Sequence, residues 1–474
     1  MDCPSSRNAS SLSGTVAHRA LLIQKVPQSV RGGLEKEKRY FVPDLVSIGP
    51  YHHRAEDHLL EMEKVKEAVA REFCNGASGP QGLAGGQQQP AAEQQFLQAV
   101  AAVRPLVEEA KRCYADSFDS LFTDSEFTNM MVVDGCFLLA VMAVLTEDYP
   151  YEHGWWTHGR MLRIMKDILL FENQIPWAVL DRLMALRSVK VESFVADIIL
   201  AYFDLDGHNR EPPSSTQHHS PPLSTQHQSP EHRNVESPFL TPPESPEHRL
   251  EAVHLLDLVH QRYLGRGRAP DAGGGAVRYC NYARAFAPFT SAVELAEAGI
   301  HLQGSGTCRV TDVRVEEDLP AAAMARLSIG RLVLPRLALS WLPRCWLINM
   351  VALECVTDRS DNSGVSSYLA ILGSLVRAER DVEELRARRI LFSTMSDRRT
   401  VEFFEGILDP LPRQELYLKT LEGIVQLRAR RSTRSGIHAF LYKNRKIIFA
   451  LAPLLSLLVA IVGLVVNNSI KHKY

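Results

Sequence analysis

The apolar run from Ile447 to Val466 places the strongest constraint on how this chain can fold. Its 20 residues, IIFALAPLLSLLVAIVGLVV, include no charged side chain. A helix rises about 1.5 Å per residue, so this run would span roughly 30 Å, the thickness of a bilayer's hydrocarbon core. Membrane helices also tolerate Pro453 and Gly463, which lie inside it. Since we expect no other stretch to share these properties, we predict a transmembrane helix at 447–466, with a buried core helix as the alternative.

The charges that flank this run indicate its orientation. Seven Lys and Arg residues lie between positions 428 and 446, whereas only Lys471 and Lys473 follow the run. An excess of basic residues marks the cytoplasmic end of a membrane helix. We therefore expect a cytosolic body at 21–440 and a short tail at 467–474 across a plasma membrane or endomembrane. The partner of the helix is membrane lipid, and the basic run either binds anionic headgroups or serves only as a topology signal.

Overall charge and cysteine spacing narrow the class of protein. Lys and Arg number 53 against 55 Asp and Glu, a net charge of −2 that gives no reason to expect a nucleic-acid partner. The eight cysteines form no C-x-x-C pair, which is typical of reduced and mostly buried thiols. A hydrophobic content of 45% is enough for a large core.

Three segments have compositions that predict disorder. These are the Ser-rich N-terminus at 1–20, a Gly/Gln/Pro spacer at 75–95, and a Pro/Ser/His-rich insertion at 207–249 in which STQH and SPEHR each occur twice. Such sequences contain too little apolar surface to fold. The Ser-Pro and Thr-Pro steps of the insertion are candidate phosphorylation sites, with a passive linker as the alternative.

Between these segments the apolar periodicity is mainly helical. Residues 56–73 place Leu59, Met62 and Val69 on one stripe and most charges, Lys66 among them, off it. Helical patterns also occur at 96–113, 159–185, 250–264, 366–391 and 415–430. Extended structure is expected only at 308–315 and 331–334, as a short hairpin. The predicted fold class is mainly α: a large helical globular domain with a minor β-hairpin element, disordered insertions and one C-terminal transmembrane helix.

Few residues suggest chemistry. Adjacent side chains such as His52 and His53 seldom share one metal ion, and Gly49-Pro50 before them favours a structural turn. Asp134 and Glu172 lie in apolar runs, where a carboxylate needs a partner. Each could be a general acid or base, or could close a buried polar network to which Asn173 and Gln174 supply amides. We assign no catalytic, cofactor-binding or metal site.

Several blocks together resemble a plant family known as domain of unknown function 247, which includes UPF0481-type membrane proteins. The blocks are VPDLVSIGPYHH (42–53), MEKVK (62–66), EFTNMMVVDGCFLL (126–139), DILLFENQIPWAVL (167–180), HLLDLVH (254–260), SAVELAEAGI (291–300) and INMVALEC (348–355). The chain departs from the family pattern at Arg54 and Ala140. The resemblance implies a plant protein with one C-terminal membrane helix and no established activity. Certain grass members resemble determinants of self-incompatibility.

Two functions remain open at this point. The first is a non-enzymatic, membrane-anchored module for protein interaction or recognition, with a protein partner and no cofactor. The alternative is an enzyme at the membrane surface that uses Glu172, Asp134 or His53. Acid–base catalysis would require these three side chains to converge around a cleft.

Overall fold

The computed structural model describes residues 22–33, 39–75, 89–146, 157–203, 252–265, 291–317, 329–357, 363–408, 411 and 415–430, and single positions between 440 and 462. The predictions of disorder at 1–20 and 207–249, and of a tail at 467–474, lie outside the described residues. Of the spacer predicted at 75–95, the last part is helical instead. A helix begins at Gln89, where Gln, Ala and Glu favour helix and Pro90 fits the first turn.

The N-terminal half is built from helices. In chain order they are α1 (Gln28–Gly33), α2 (Asp57–Asn75), α3 (Gln89–Val103), a 3₁₀ turn (Arg104–Leu106), α4 (Val107–Arg112), α5 (Asp124–Leu145), α6 (His158–Asp167), α7 (Trp177–Met184), α8 (Val191–Tyr202) and α9 (Leu255–Leu264).

The C-terminal half adds two small sheets. Its elements are α10 (Ala292–Glu297), β1 (Ile300–Gly304), β2 (Arg314–Glu317), β3 (Gly330–Leu334), β4 (Leu337–Leu339), α11 (Trp341–Val356), α12 (Gly364–Leu375), α13 (Glu379–Ala387), β5 (Leu391–Ser393), α14 (Asp397–Leu408) and α15 (Glu415–Arg430). The protein is therefore mainly helical, as predicted.

The predicted hairpin is only partly right. β2 does pair antiparallel with β3, with Val315 opposite Leu332. However, the strand begins at Arg314, because the Ser305 and Thr307 hydroxyls both donate to Asp312 and close a loop before it. The sheet also has a third strand, because β1 pairs in parallel with β3. A second, two-stranded sheet is formed by the parallel pair of β4 and β5.

Three of the predicted helices are interrupted. The pattern at 96–113 breaks at the 3₁₀ turn that contains Pro105. The pattern at 159–185 is split between α6 and α7, and the pattern at 366–391 between α12 and α13. Between α6 and α7, residues 168–176 form a buried turn rich in polar side chains. Gln174 closes this turn by donating to the carbonyl oxygens of Ile168 and Leu170 (both 2.8 Å).

The helix that meets the length and apolarity of a membrane span lies in the middle of the chain. Among the described residues this is α5, with a mean hydropathy of 1.9 and 89% of its apolar window buried in the body. Thr123 and Glu126 begin the helix with a reciprocal capping box. The expectation that 447–466 is unique was therefore wrong, because a helix surrounded by other helices can be apolar on all sides.

Most of the predicted span at 447–466 lies outside the described residues. At the five large apolar positions that are described, the backbone is helical and the side chains are 51–59% exposed: Ile447, Leu451, Leu457, Ile461 and Val462. The body, by contrast, contains one cluster of buried apolar side chains that runs from Ile23 to Leu427.

Candidate functional site

The largest concentration of buried polar side chains surrounds residues 42–49, which we call the threaded segment. Its eight residues lie in neither helix nor strand, although most of them are buried. Backbone amide and carbonyl groups that are removed from water need other hydrogen-bond partners. The body supplies these partners as side chains from α2, α5, α6 and the turn after α6.

Asp167 and Lys166, at the end of α6, bind the first part of this segment. The Asp167 carboxylate accepts from the amide of Asp44 (2.9 Å), and also from those of Leu45 (2.7 Å) and Val46 (2.9 Å). Burial raises the pKa of Asp167 to about 6. Lys166 donates to the carbonyl oxygen of Val42 at 2.8 Å. These two side chains therefore replace the backbone hydrogen bonds that a neighbouring β-strand would provide.

Asn173 binds the middle of the segment from both of its polar atoms. Its Oδ1 accepts from the amide of Ile48 at 2.7 Å, and its Nδ2 donates to the carbonyl oxygen of Val46 at 3.0 Å. Gln174 accepts from the amide of Leu256 at 3.1 Å and so ties the same turn to α9. Both amides belong to the polar network that the sequence offered as the alternative to catalysis.

Lys66 and Asp134 bind the end of the segment. The fully buried Lys66 ammonium lies 2.6 Å from Asp134 Oδ1 and 2.8 Å from Glu63 Oε1, and it donates to the Ser47 carbonyl oxygen at 2.7 Å. Asp134 Oδ2 accepts from the amide of Gly49 at 2.8 Å. Burial favours the neutral amine of Lys66, but the two carboxylates outweigh this effect and raise the pKa of Lys66. For Asp134, burial raises the pKa to about 6 while Lys66 acts in the opposite direction.

Glu172 holds a different part of the N-terminal region. Its Oε1 accepts from the amide of Val26 at 2.5 Å and from the Arg31 guanidinium. Its Oε2 lies 3.5 Å from His52 Nε2. Burial alone would raise the pKa of Glu172, but the nearby His52 ring and the hydrogen bonds from Val26 and Arg31 lower it. The carboxylate therefore attaches α1 and the residues before it to the body.

His53 lies at the edge of the network, in the turn expected from Gly49-Pro50. The turn is closed by a hydrogen bond from the Ala55 amide to the His52 carbonyl oxygen (3.1 Å), and Arg54 has a φ of 55°. His53 Nδ1 lies 3.7 Å from Glu63 Oε2. Burial lowers the pKa of His53 to about 4, so the ring is neutral at pH 7. Within the described ranges, no group of three or more His, Cys, Asp or Glu side chains has a metal-binding arrangement.

The three candidate catalytic residues thus fall into two groups of contacts. His53 and Asp134 belong to one network through Glu63 and Lys66, whereas Glu172 contacts Arg31 and His52. Asp134 and Glu172 are buried, and the carboxylate oxygens of each have protein partners. Chemically, this arrangement is suited to holding an irregular backbone segment in place.

Two further buried polar residues, one of them in contact with the turn after α6, were missed by sequence reasoning. Asn349 of α11 donates to the Tyr40 carbonyl oxygen (2.8 Å) and accepts from the Phe171 amide (2.8 Å). Glu354 accepts from the first amides of α12, those of Val365 (2.9 Å) and Ser366 (2.7 Å). Both residues lie in the block INMVALEC, where polar side chains within an apolar helix were the signal that could have identified them.

The cysteines are free thiols at the six described positions, as their spacing predicted. Three of them are buried: Cys136, Cys308 and Cys345. The spacing did not indicate that Cys74 Sγ of α2 would lie 3.6 Å from Cys136 Sγ of α5. This contact lies at the packed interface of the two helices that carry Lys66 and Asp134.

Comparisons with known proteins agree with the motif blocks. The family model DUF247, described as a plant protein of unknown function, matches residues 23–461. A UPF0481 protein of Arabidopsis thaliana is 25% identical over 404 residues, which cover 81% of this chain and 72% of the relative. No solved structure matches.

Proposed function

Because this chain belongs to the DUF247 family of plant proteins, we propose that it is a non-enzymatic, membrane-anchored module for protein interaction or recognition. In this proposal the helical body lies in the cytosol and the helix at 447–466 crosses a plasma membrane or endomembrane. The body presents a surface to a protein partner. Recognition of the self-incompatibility type is one form that this function could take.

The observation that carries the proposal is the exposure of apolar side chains near the C-terminus. Ile447, Leu451 and Leu457 are each more than half exposed on a helical backbone, together with Ile461 and Val462. Apolar surface of this extent is unfavourable in water and favourable in hydrocarbon, at roughly 25 cal/mol per Å² transferred. A bilayer provides such an environment along the whole run.

The buried polar network supports the choice of interaction over catalysis. Asp134 and Glu172 each accept a backbone amide and lie beside a basic side chain. A general acid or base must instead reach a substrate directly or through one water molecule. Substituting either carboxylate is therefore expected to unfold the body.

Extraction of isolated membranes with alkaline carbonate tests the anchor. The full-length protein should remain in the pellet, and a chain that ends at residue 439 should be released. Leu451→Arg/Leu457→Arg should also be released, because a charge at the centre of a membrane helix costs about 2.5–3.5 kcal/mol. The matched control, Leu451→Ile/Leu457→Ile, should stay in the pellet. Release of the full-length protein would contradict the proposed anchor.

Protease protection with tags at both termini tests the orientation. On sealed membranes an N-terminal tag should be cleaved and a C-terminal tag should be protected until detergent is added. Crosslinking of the full-length protein in the same membranes, and of the soluble chain ending at residue 439 in the cytosolic fraction, should recover the same protein partner from both baits. Recovery of no specific partner from either bait would contradict the interaction module while leaving the anchor intact.

A further inference from the structure

A small cavity lies at the N-terminus of α11, beside the first part of the threaded segment. Its volume is about 110 Å³, and three basic side chains line it against one acidic side chain. At roughly 30 Å³ per water molecule, this space corresponds to three or four waters, which is the size of a small oxyanion. The lining residues that matter are Arg39, Tyr40, Asp44, Lys166, Trp341 and Arg344.

Among the residues that line the cavity, Arg344 is a basic residue with no acidic partner in the described part of the chain. Its side chain is only 7% exposed, and its Nη1 donates to the sulfur of Met395. Its guanidinium carbon lies 5.7 Å from the centre of the Tyr40 ring. Its Nε is buried and has no hydrogen-bond partner. A buried charge without a counter-charge is costly, so this guanidinium is poised for an anion.

The other charged side chains of the cavity do not provide a counter-charge for Arg344. Asp44 is the acidic residue in the lining, and its carboxylate lies 2.6 Å from the Lys166 ammonium. The Arg39 guanidinium lies 5.5 Å from the centre of the same Tyr40 ring. Lys166, which also lies 3.6 Å from Asp167, thus takes up the acidic groups around the cavity, and the buried Arg344 guanidinium is left without one among the described residues.

The first turn of α11 adds a second source of positive potential. This helix has 16 residues, and its N-cap, Ser340, makes no side-chain hydrogen bond to the first turn. The partial positive charge of a helix N-terminus attracts anions. Trp341, the first residue of α11, is 43% exposed and lines the cavity, so its ring can contact whatever is attached to a bound oxyanion.

From these contacts we infer that the cavity binds the phosphate group of a phosphate monoester, with Arg344 as the principal ligand. A planar guanidinium fork matches two phosphate oxygens, and the N-terminus of α11 lies at the same cavity. The phosphate belongs either to a soluble ester or to a phosphomonoester lipid of the membrane to which the body is attached.

Thermal denaturation of the full-length protein in neutral detergent tests this site. Inorganic phosphate should raise the Tm of the wild type above that in chloride of equal ionic strength, because a ligand that binds only the folded state stabilises it. Arg344→Met should weaken the apparent phosphate affinity by at least about tenfold. The control Arg262→Gln, which removes an exposed arginine paired with Glu192, should respond as the wild type does.

Arg344→Met removes a buried charge without breaking an ion pair, so the variant should fold with an unchanged or higher Tm in chloride. Arg344→Lys provides a second variant, which keeps the charge but loses the fork and should bind phosphate with intermediate affinity. An equal response of the wild type to phosphate and chloride would overturn the inference. An equal response of the wild type and both Arg344 variants to phosphate would overturn it as well.

Reconstitution distinguishes the two sources of phosphate. In phosphatidylcholine vesicles that contain phosphatidic acid, a lipid headgroup in the site should raise the Tm of the wild type but not of Arg344→Met. Added inorganic phosphate should then have little further effect. If the ligand is a soluble ester, phosphatidic acid should have no effect that depends on Arg344, and the response to phosphate should persist.

Discussion

Lys66 illustrates how a charged residue becomes part of a core. It follows Met62 by four positions and precedes Val69 by three, so it lies on the apolar stripe of α2, contrary to our sequence prediction. Its ammonium is surrounded by Asp134, Glu63 and the Ser47 carbonyl oxygen. Removing one partner of such a group leaves an uncompensated charge in the interior.

We therefore expect Lys66→Met to lower the free energy of unfolding by about 3–5 kcal/mol. Urea denaturation followed by circular dichroism measures this loss. The control is Lys64→Met on the same helix, where the lysine is exposed and the change should stay within about 0.5 kcal/mol. Equal stability of the two variants would show that the buried ion pair contributes nothing.

His254 makes the stability of the body dependent on pH. It caps α9, and its Nδ1 accepts from the Asp257 amide at 3.2 Å, which requires a neutral ring. Burial lowers the pKa of His254 from 6.5 to about 4. Between pH 4 and pH 6.5 the unfolded chain binds more protons than the folded one. The contribution of the neutral His254 ring to stability is therefore complete above pH 6.5 and is lost as the pH falls to 4.

The variant His254→Asn keeps a good N-cap residue and removes the titration. Relative to this variant, the wild type should lose about 3 kcal/mol of unfolding free energy between pH 6.5 and pH 4, since one pKa unit corresponds to about 1.4 kcal/mol. Urea titrations of both proteins at a series of pH values measure the difference. A constant difference over this range would mean that the ring is protonated in the folded protein.

At the scale of elements, the β2–β3 pair depends on a residue without a side chain. A Cβ atom on Gly330 would lie 2.5 Å from the Glu316 carbonyl oxygen and 2.6 Å from Leu427 Cδ2 of α15. The strand backbone cannot move without breaking the ladder that pairs β2 with β3. The glycine therefore allows α15 to pack closely against the sheet.

Gly330→Ala should accordingly lower the unfolding free energy by about 1–3 kcal/mol through overpacking. Gly306→Ala is the matched control, because a Cβ atom there meets nothing within 4 Å, and its effect should be below about 0.5 kcal/mol. Thermal or urea unfolding of the two variants under identical conditions gives the comparison. Similar losses in both would indicate a general effect of the substitution rather than the contact with Glu316.

Sequence periodicity could predict helices that bury one face and expose the other. The stripe of Leu59, Met62 and Val69 identified α2 correctly. The apolar helix α5 is buried on all sides, so its sequence shows little helical periodicity, and we did not predict a helix there. The parallel pair of β1 and β3 depends on a contact between residues 30 positions apart, for example Ile300 and Gly330, which no local pattern reveals.

The candidate site was predictable in composition but not in geometry. A polar network of Glu172, Asn173 and Gln174 was one of the alternatives that the sequence offered, because acids and amides in an apolar run need partners. Several of their partners are backbone groups far away in the chain, such as the Ile48 amide bound by Asn173 and the Val26 amide bound by Glu172. Backbone groups carry no sequence signal, so these contacts could not be foreseen.

At the scale of the molecule, a single apolar cluster connects the two halves of the body. It includes Ile23 near the start and Leu427 in α15. Trp346 of α11 is buried in this cluster and donates to the Met165 carbonyl oxygen of α6 at 3.0 Å. The halves are thus unable to separate without exposing a shared core.

We therefore expect the body to unfold in one cooperative transition. Tryptophan fluorescence and far-ultraviolet circular dichroism should give coincident urea curves for the full-length protein in detergent. Asn349→Leu, which removes a contact between α11 and the N-terminal region, should shift both curves to lower urea by the same amount. Two separated transitions, or curves that differ between the probes, would indicate independent domains.

The hydrogen bond from Asn349 to Tyr40 joins residues that are 309 positions apart. A ribosome adds about 5–20 residues per second, so Tyr40 emerges roughly 15–60 s before its partner is made. During this interval the threaded segment has no complete binding site, and its apolar residues are open to chaperones. The apolar run at 447–466 is synthesised soon afterwards. If 447–466 is the anchor proposed above, completion of the body and its delivery to a bilayer fall within the same short period at the end of translation.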